Sequence, residues 1–418
     1  MPAIRPAQRT HKITYAVRDV VLWAQEAAAA GREILYLNIG DPNLFDFETP
    51  AHIVRATCDA LEANKNGYAP SSGIPVARAA VEEDNARKGI SNIVHTYITS
   101  GSSEAIDLAM AALVDPGDNV LIPSPGYPLY AAVLARFGAE ERWYHLDESN
   151  GWQPDVESVR RQIDERTRAL VLINPNNPTG SVTSEEVLRE LIDVALEHNL
   201  LIFSDEIYDR LIFDPGSFVA TASLSSEAKV LTLAGLSKVF MAPGFRLGWG
   251  SISGPADDLA DFCEAIQKLE RARVSANHPE QYAVEPALNG PMDFLHDEIG
   301  KLRRRRDFTL ERLNAIPGIS CVEPGGTFYA FPKIDLGVPD VVFCKRLVKE
   351  TGVVTVPGSG FGGGAAEGHF RVVFLPPEEV LEPALDRIAE LAGAVRQESR
   401  PRQWPGSGRA HADSQLQA

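Results

Sequence analysis

The sequence predicts an α/β protein: a larger unit built on a sheet of parallel-type strands, accompanied by a smaller α+β unit. Three observations lead there. From about Ala105 to the late 250s, short β-branched or aliphatic runs alternate with helical patterns, the signature of strands joined by helices. The runs are apolar at successive positions rather than at alternate ones, as strands covered on both faces are. The 418 residues of the chain, against a prior of about 150 per domain, allow two or three domains, or one large core with a satellite.

Residues 1 to about 50 are irregular apart from a helical pattern over Trp23–Ala30 and an edge-strand pattern over Leu35–Ile39, which leads into Gly40-Asp41-Pro42. Strands of the larger unit are expected at His95–Thr99, Asn119–Pro123, Ala169–Ile173, Leu200–Phe203, Val230–Ala234 and Leu247–Ile252, all of parallel type. Several end at Gly, Ser, Asn or Asp. In an open α/β sheet ligands sit at the carboxyl ends of strands, so chemistry should collect at those polar ends. Met292–Ile316 reads as a helix carrying the charged run Lys301–Arg306, and new strands are expected near Thr327–Phe331 and His369–Phe374. The expected division is a large domain over 51–290 and a small one made of 1–50 with 291–396. From 397 to 418 the composition turns to Pro, Gly, Ser and Arg and reads as a disordered tail. No internal repeat of fixed period is present.

Hydrophobic residues at 44% and charged residues at 23% are near globular averages, which sets aside collagen-like, coiled-coil and wholly disordered classes. The formal net charge of −17 repels nucleic-acid phosphates and anionic membranes, so neither is expected as a partner. Cys58, Cys263, Cys321 and Cys344 lack CxxC spacing, which argues against a disulfide framework or a zinc site and for a reducing compartment, the cytoplasm. The N-terminal MPAIRPAQRTHK is not followed by the apolar segment of a secretory signal, and no apolar stretch approaches the roughly 18 residues that span a bilayer. Secretion and membrane insertion are not expected.

The sharpest local signal is Asn174-Pro175-Asn176-Asn177-Pro178-Thr179-Gly180, directly after the apolar run Ala169–Ile173. Alone it reads as well as a tight turn as it does as a binding loop. The next strand runs into Ser204-Asp205-Glu206-Ile207-Tyr208, a carboxylate at a strand end followed by a phenol. The third ends in Gly235-Leu236-Ser237-Lys238, with Pro243-Gly244-Phe245-Arg246 after it. Singly, such an Asp caps a helix, such a Tyr packs, and such a Lys is a solvated charge. Together they match what pyridoxal 5'-phosphate needs: a lysine for its aldehyde, an acid to keep its pyridine nitrogen protonated, and an arginine for its phosphate. At about 3 Å and an effective dielectric near 20, that acid and a pyridinium attract by roughly 5 kcal/mol before desolvation. Such an attraction holds the ring protonated.

These residues resemble those of the fold type I, class I/II aminotransferases, and most closely their prokaryotic alanine-type members. The resemblance runs from about Tyr15 to Leu375 and rests on NIGDP (Asn38–Pro42), GYAPSSGIP (Gly67–Pro75), the Asn174–Gly180 turn, SDEIYD (Ser204–Asp209), GLSK (Gly235–Lys238), PGFRLGW (Pro243–Trp249) and HFRVVFLP (His369–Pro376). It implies a mostly parallel central sheet with helices on both faces, and transamination of a small amino acid: L-alanine with 2-oxoglutarate, giving pyruvate and L-glutamate. Lys238 is then the Schiff-base lysine and, once displaced by substrate, the base that moves the Cα proton. Asp205 pairs with the pyridine nitrogen, Tyr208 and Asn177 hold the ring hydroxyl oxygen, and Tyr127 stacks on the ring. The phosphate rests on Gly101, Ser102 and Ser103 at a helix N-terminus, with Arg246 supplying charge. Tyr68 reaches the phosphate of a second copy, so the active unit is a homodimer with shared sites. Arg371 takes the substrate α-carboxylate through its bidentate fork; Gly40 lets the backbone approach that carboxylate; Tyr15 and Arg18 cover the substrate.

Many class I relatives carry serine as a phosphate ligand where this chain has Gly235, which leaves Ser237 as the substitute and points toward the alanine-type members. Gly358, Gly360 and Gly363 satisfy G-x-G-x-x-G, but no helix pattern follows, so they read as a flexible loop rather than a dinucleotide site. The Lys301–Arg306 run reads as a solvated or acid-paired helical turn rather than a nucleic-acid contact. His52, His145 and His198 lack metal-ligand spacing. Within enzymes the alternative is an aminotransferase for aromatic or acidic amino acids, or a β-lyase sharing the same cofactor residues. Outside enzymes it is a pyridoxal phosphate-binding regulator, for whose DNA-binding domain there is too little chain before Tyr15.

Overall fold

The computed structural model describes residues 3–13 and 16–398. Its strands are β1 (Leu35–Tyr36), β2 (Ile93–Thr99), β3 (Asn119–Ser124), β4 (Glu140–Asp147), β5 (Gln153–Pro154), β6 (Thr167–Ile173), β7 (Leu201–Asp205), β8 (Val230–Gly235), β9 (Gly248–Ser253), β10 (Ile319–Ser320), β11 (Tyr329–Ala330), β12 (Lys333–Ile334), β13 (Val353–Val354), β14 (Val356–Pro357) and β15 (Phe370–Val373). The main sheet has the order β2-β9-β8-β7-β6-β3-β4-β5. The pairs from β8 through β7, β6 and β3 to β4 are parallel. Every strand expected in this region is present.

One expectation is corrected. The segment read as a parallel-type strand over Leu247–Ile252 is β9, antiparallel to both β8 and β2. Between β8 and β9 the chain makes only a 3-10 turn at Pro243–Phe245, too little for the helical crossover a parallel return needs. A further strand, β4, carries no apolar run: its Glu140, Glu141 and His145 are exposed while Tyr144 and Leu146 are buried, and the sequence reading passed over it.

Both faces of the sheet are covered. Ala169, Val171 and Ile173 of β6 pack with Ile106, Ala109 and Leu134, from the helices Ser102–Leu113 and Leu129–Phe137. Leu170 and Leu172 face the other way, onto Leu188, Leu191 and Ile192 of the helix Glu185–Glu197. Alternate residues of one strand thus enter two cores, which is why the run is apolar at successive positions. Between β3 and β6 the chain order reverses, since β4 lies on one side of β3 and β6 on the other. The crevice at such a point is where α/β sheets bind ligands.

The remaining strands are short. β1 pairs in parallel with β13, β10 is antiparallel to β12, and β15 lies between β11 and β14. The strands expected over Leu35–Ile39, Thr327–Phe331 and His369–Phe374 contract to β1, β11 and β15, because their flanking residues turn to tertiary contacts; the Asn38 carbonyl, for one, accepts from Arg371. The glycine-rich stretch forms 3-10 turns at Gly358–Phe361 and Gly364–Ala366 with no helix after them. It is a loop, but a pinned one: Gly126 N donates to Phe361 O at 2.8 Å and Ser124 Oγ to Gly363 O. The helix Asp293–Asn314 carries the basic run, and three of its charges are acid-paired: Arg305 with Asp46 at 2.7 Å, Arg306 with Glu323 at 3.0 Å and Lys301 with Glu298 at 2.9 Å, while Arg303 and Arg304 donate to the backbone carbonyls of Phe213 and Gly300. The last helix, Glu378–Glu398, extends past the expected start of the tail, and Glu398 pairs with Arg346 at 2.8 Å. The rest of that tail, 399–418, lies outside the described residues. No helix among the described residues is long and apolar enough to cross a membrane.

Leu170 is fully buried in the second core. Leu170→Ala is expected to lower the unfolding free energy by about 2–5 kcal/mol, read as a drop in urea midpoint without a change of slope.

Candidate active site

Four strand ends converge. After β6, Asn176 Oδ1 accepts from Thr179 Oγ1 at 2.9 Å and Thr179 N at 3.2 Å, while Gly180 N returns to Asn176 O at 2.8 Å. Asn176 therefore closes the turn, and Asn177 is left for other work. Its Oδ1 accepts from Arg371 Nη1 at 3.0 Å. The turn reading of this segment holds for Asn176, and the adjacent Asn177 turns its side chain to Arg371 instead.

β7 ends at Asp205, buried, with Oδ2 accepting from the Tyr130 hydroxyl at 3.0 Å. Burial raises the Asp205 carboxyl to about 6, opposed by the hydrogen bonds of Tyr130 and the Ile207 N–H. No cation pairs with it among the described residues. Past β8, Lys238 Nζ donates to Gly40 O at 2.7 Å and stands 5.6 Å from the Phe328 ring centre. The Gly40 segment is tied to the same loop by Asn43 Nδ2, which donates to Met241 O at 3.0 Å.

After β2, Gly101 (φ 78) opens the helix Ser102–Leu113, whose first N–H groups receive no side-chain cap. An uncapped N-terminus of this kind attracts anions. Arg246, in the left-handed region at φ 52, lays its guanidinium against the Gly101 Cα, in the space a Cβ there would take. Gly248 of β9 sits against Ser102 N and Gly101 C just as closely. Gly235, the departure from many relatives, has its reason here: a Cβ would meet Leu247 O at 2.7 Å and Gly248 Cα at 3.0 Å. The neighbouring Ser237 is half-buried.

Arg371 projects from β15 and is 2% exposed. Nη1 reaches Asn177 and Nη2 the Asn38 carbonyl at 2.6 Å, while its Nε and both side-chain polar atoms of Asn38 are buried without a protein partner. Its guanidinium carbon lies 4.5 Å from the Tyr329 ring centre and 4.9 Å from that of Phe361. No acid stands within ion-pair distance of it among the described residues. Tyr208 is buried, and its hydroxyl is 3.0 Å from that of Tyr329; burial, then Tyr329, pushes the Tyr208 phenol well above its usual range, with Arg371 pulling the other way and Tyr127 adding to the rise.

The structure thus brings together Lys238, Asp205, Tyr208, Asn177, Arg371 and Gly40, with Gly101, Ser102 and Ser103 at an uncapped helix N-terminus against which Arg246 lies. Gly40 differs from expectation in one respect: the space at its Cα is filled by the Tyr329 hydroxyl and the Phe328 ring. Tyr68 is not packed into the cluster of its own chain but is 87% exposed. Tyr15 and the Arg18 side chain lie outside the described residues. Sequence reasoning passed over Tyr130, Tyr329 and Asn38. Tyr130 follows the singled-out Tyr127 by three positions, which was a signal; Tyr329 and Asn38 enter through tertiary pairing.

A buried acid without a cation, a lysine beside it on the next strand end and an uncapped helix N-terminus with an arginine laid across it fit pyridoxal phosphate: one group for each end of the cofactor. Fold and site are those of an α/β enzyme that uses this cofactor. The profile of the aminotransferase class I and II family matches residues 32–388. The chain is 38% identical over 406 residues to the alanine aminotransferase of Mycobacterium tuberculosis, covering 94% of each. It is 35% identical to the glutamate-pyruvate aminotransferase AlaA of Escherichia coli K12, over 95% of this chain and all of that one. A solved structure described as alanine aminotransferase from Pyrococcus furiosus superposes with a TM-score of 0.90 at 41% identity, covering 93% of this chain and all of that one. The chain belongs to the class I and II aminotransferases, and is a pyridoxal phosphate-dependent enzyme.

The raised Asp205 carboxyl sets a pH dependence. In the cofactor-free protein, folding binds a proton that the unfolded chain has released between pH 3.8 and about 6, so stability from this group is present at low pH and lost as pH rises through that window. That shift corresponds to about 3 kcal/mol. Asp205→Asn is therefore expected to leave the cofactor-free protein at least as stable as wild type in urea at pH 7, the difference narrowing toward pH 5, while weakening cofactor binding roughly 100-fold or more.

Proposed function

We propose that the protein transfers the amino group of L-alanine to 2-oxoglutarate, giving pyruvate and L-glutamate. The observation that carries the reading is Arg371: a buried guanidinium with, among the described residues, an unpartnered Nε and no acid in reach, and an amide from another strand end steering it. Such an arrangement is costly until a carboxylate arrives, and amino and 2-oxo acids share one. The choice of alanine draws on the names of the relatives.

When bound, pyridoxal phosphate supplies an aldehyde that takes up the amine and a protonated ring that accepts an electron pair. Lys238 Nζ would hold the aldehyde end of the cofactor and, once free, would move the proton at the substrate Cα. Asp205, oriented by Tyr130, holds the proton on the pyridine nitrogen. Tyr208 and Asn177 bind the ring hydroxyl oxygen, and Tyr127 covers the ring. Gly101, Ser102 and Ser103 offer N–H groups to the phosphate, Arg246 neutralises it, and Ser237 stands in for the serine that position 235 lacks. Arg371 fixes the α-carboxylate, with Gly40 beside it; Tyr15 and Arg18 close over the substrate.

The active unit in this reading is a homodimer in the cytoplasm. Tyr68 supports the dimer, since an 87% exposed tyrosine on a loop held by His278 Nδ1 at Gly67 O is placed to serve a second copy. We assign 51–290 to the cofactor domain and 1–50 with 291–396 to the smaller one.

Single-turnover mixing of cofactor-loaded protein with each of the twenty amino acids tests the substrate. L-Alanine and L-glutamate are expected to bleach the visible band fastest, and Lys238→Ala to abolish bleaching. Bleaching by L-tyrosine or L-aspartate but not by L-alanine would replace the substrate assigned here. Arg371→Lys is expected to raise the half-saturating alanine concentration at least tenfold, because an ammonium lacks the fork. Tyr68→Phe is expected to weaken cofactor retention most at protein concentrations where dimers persist, read by gel filtration with absorbance.

A further inference from the structure

We propose that Tyr329, which the sequence reading left aside, is a positioning residue of this site: its hydroxyl orients the proton of Tyr208 toward the cofactor's ring oxygen, and its ring is the platform that holds Arg371 for the α-carboxylate. The proposal rests on the transaminase reading above and goes beyond it by assigning one small-sheet side chain to both binding events.

The geometry is specific. Tyr329 is 3% exposed and lies on β11, paired with β15 so that Tyr329 stands opposite Val373. Arg371 is then its diagonal neighbour on the same face, and the guanidinium carbon lies 4.5 Å from the ring centre, within the range of a cation–π contact. The Tyr329 hydroxyl is 3.0 Å from that of Tyr208, the rings standing at 81°. The same hydroxyl abuts the Cα of Gly40, whose carbonyl accepts from Lys238. Tyr329 therefore touches the ligand of the ring oxygen, the ligand of the carboxylate and the backbone that receives the lysine.

Proton accounting makes the direction definite. Each phenol has one proton, and only one of the two can lie in the bond between them. The groups facing Tyr208 are Tyr329, Arg371 and Tyr127, and the Arg371 nitrogens that hydrogen-bond do so to Asn177 and Asn38. If Tyr208 donated to Tyr329, it would turn a lone pair toward an anionic ring oxygen. The relay therefore runs from Tyr329 to Tyr208 to that oxygen. A donor whose oxygen itself accepts a hydrogen bond is the stronger donor. Tyr329 thus stabilises the negative ring oxygen from a distance and lowers the pH at which the lysine-linked cofactor loses its proton.

Visible absorbance of cofactor-loaded protein titrated with pH, without substrate, reads the relay. Tyr329→Phe keeps the ring and removes the hydroxyl, so the midpoint is expected to move up by about half a unit or more. Tyr208→Phe should move it further in the same direction, and the double variant no further than Tyr208→Phe alone. The dissociation constant of propionate, which is alanine without its amine, reads the platform: within about twofold of wild type in Tyr329→Phe, at least fivefold weaker in Tyr329→Leu. A Tyr329→Phe midpoint equal to wild type, or additive shifts in the double variant, overturns the relay. Equal propionate binding in Tyr329→Leu overturns the platform. Wild-type protein with no visible band after cofactor loading would overturn the functional reading itself, and this proposal with it.

Discussion

The structure depends on two buried charges left without partners. Among the described residues, Asp205 ends a central strand with a tyrosine hydroxyl and a backbone N–H for company and no cation, and Arg371 is 2% exposed with no acid in reach. Desolvating an ion costs several kcal/mol unless a counter-charge and hydrogen bonds answer it. Elsewhere the fold answers that cost. Arg305 and Arg306, also buried, pair with Asp46 and Glu323; Lys88 pairs with Asp84 and Asp209; Glu270 meets His95 at 2.7 Å. Glu206 and Asp340 are also buried without an ion pair among the described residues; what sets Asp205 and Arg371 apart is that both belong to the cluster around Lys238 and Asn177, where the proposed function has them meet a pyridinium and a carboxylate.

The cost is bearable because of where the two charges sit. Asp205 lies at the end of a strand whose residues enter separate cores, Phe203 on one face and Ile202 on the other, so its backbone is held from both sides. Its neighbours in register, Ile173 on β6 and Leu233 on β8, end in the Asn177 turn and the Lys238 loop. Three strands of one parallel set deliver an amide, an acid and an amine to one edge because parallel strands all end there. The antiparallel β9 completes the arrangement. Its Gly248 packs on Ser102 N, and the turn before it lays Arg246 on Gly101, so the reversal that the strand pattern did not reveal is what brings the arginine back to the helix N-terminus.

Much of this could be read in the residues before any coordinates. Buried strands betray themselves by uninterrupted apolar runs, and the polar residues that end them stand next to those runs in the chain, so Asn177, Asp205, Lys238 and Arg246 were legible as a set. The half-exposed β4 was not, since its alternation is carried by charged and aromatic residues that fit a helix face as well. Strand direction was not either, because the apolar pattern of β9 depends on cover and not on polarity of the chain. Tyr130 lay within reach of Tyr127, a residue three positions away and already singled out. Tyr329 did not: its partners Tyr208, Arg371 and Gly40 are brought to it by the pairing of β11 with β15 and the docking of the Gly40 segment, and no local pattern encodes that meeting.

That meeting explains why the carboxylate site belongs to the whole fold rather than to β15. Arg371 is aimed by Asn177, by the Asn38 carbonyl and by the Tyr329 ring. The first belongs to the main sheet, the second to the N-terminal segment after β1, the third to the small sheet. A guanidinium held by one of them could swing; held by three from different elements, it has one place. The Asn38 segment also presents Gly40 O to Lys238, so Arg371 and Lys238, the two residues to which we assign the carboxylate and the proton, are tied to a single stretch of backbone. In the proposed function a shared tether of this kind would keep the substrate Cα in register with the lysine, and small errors in such register are what transfer reactions tolerate least.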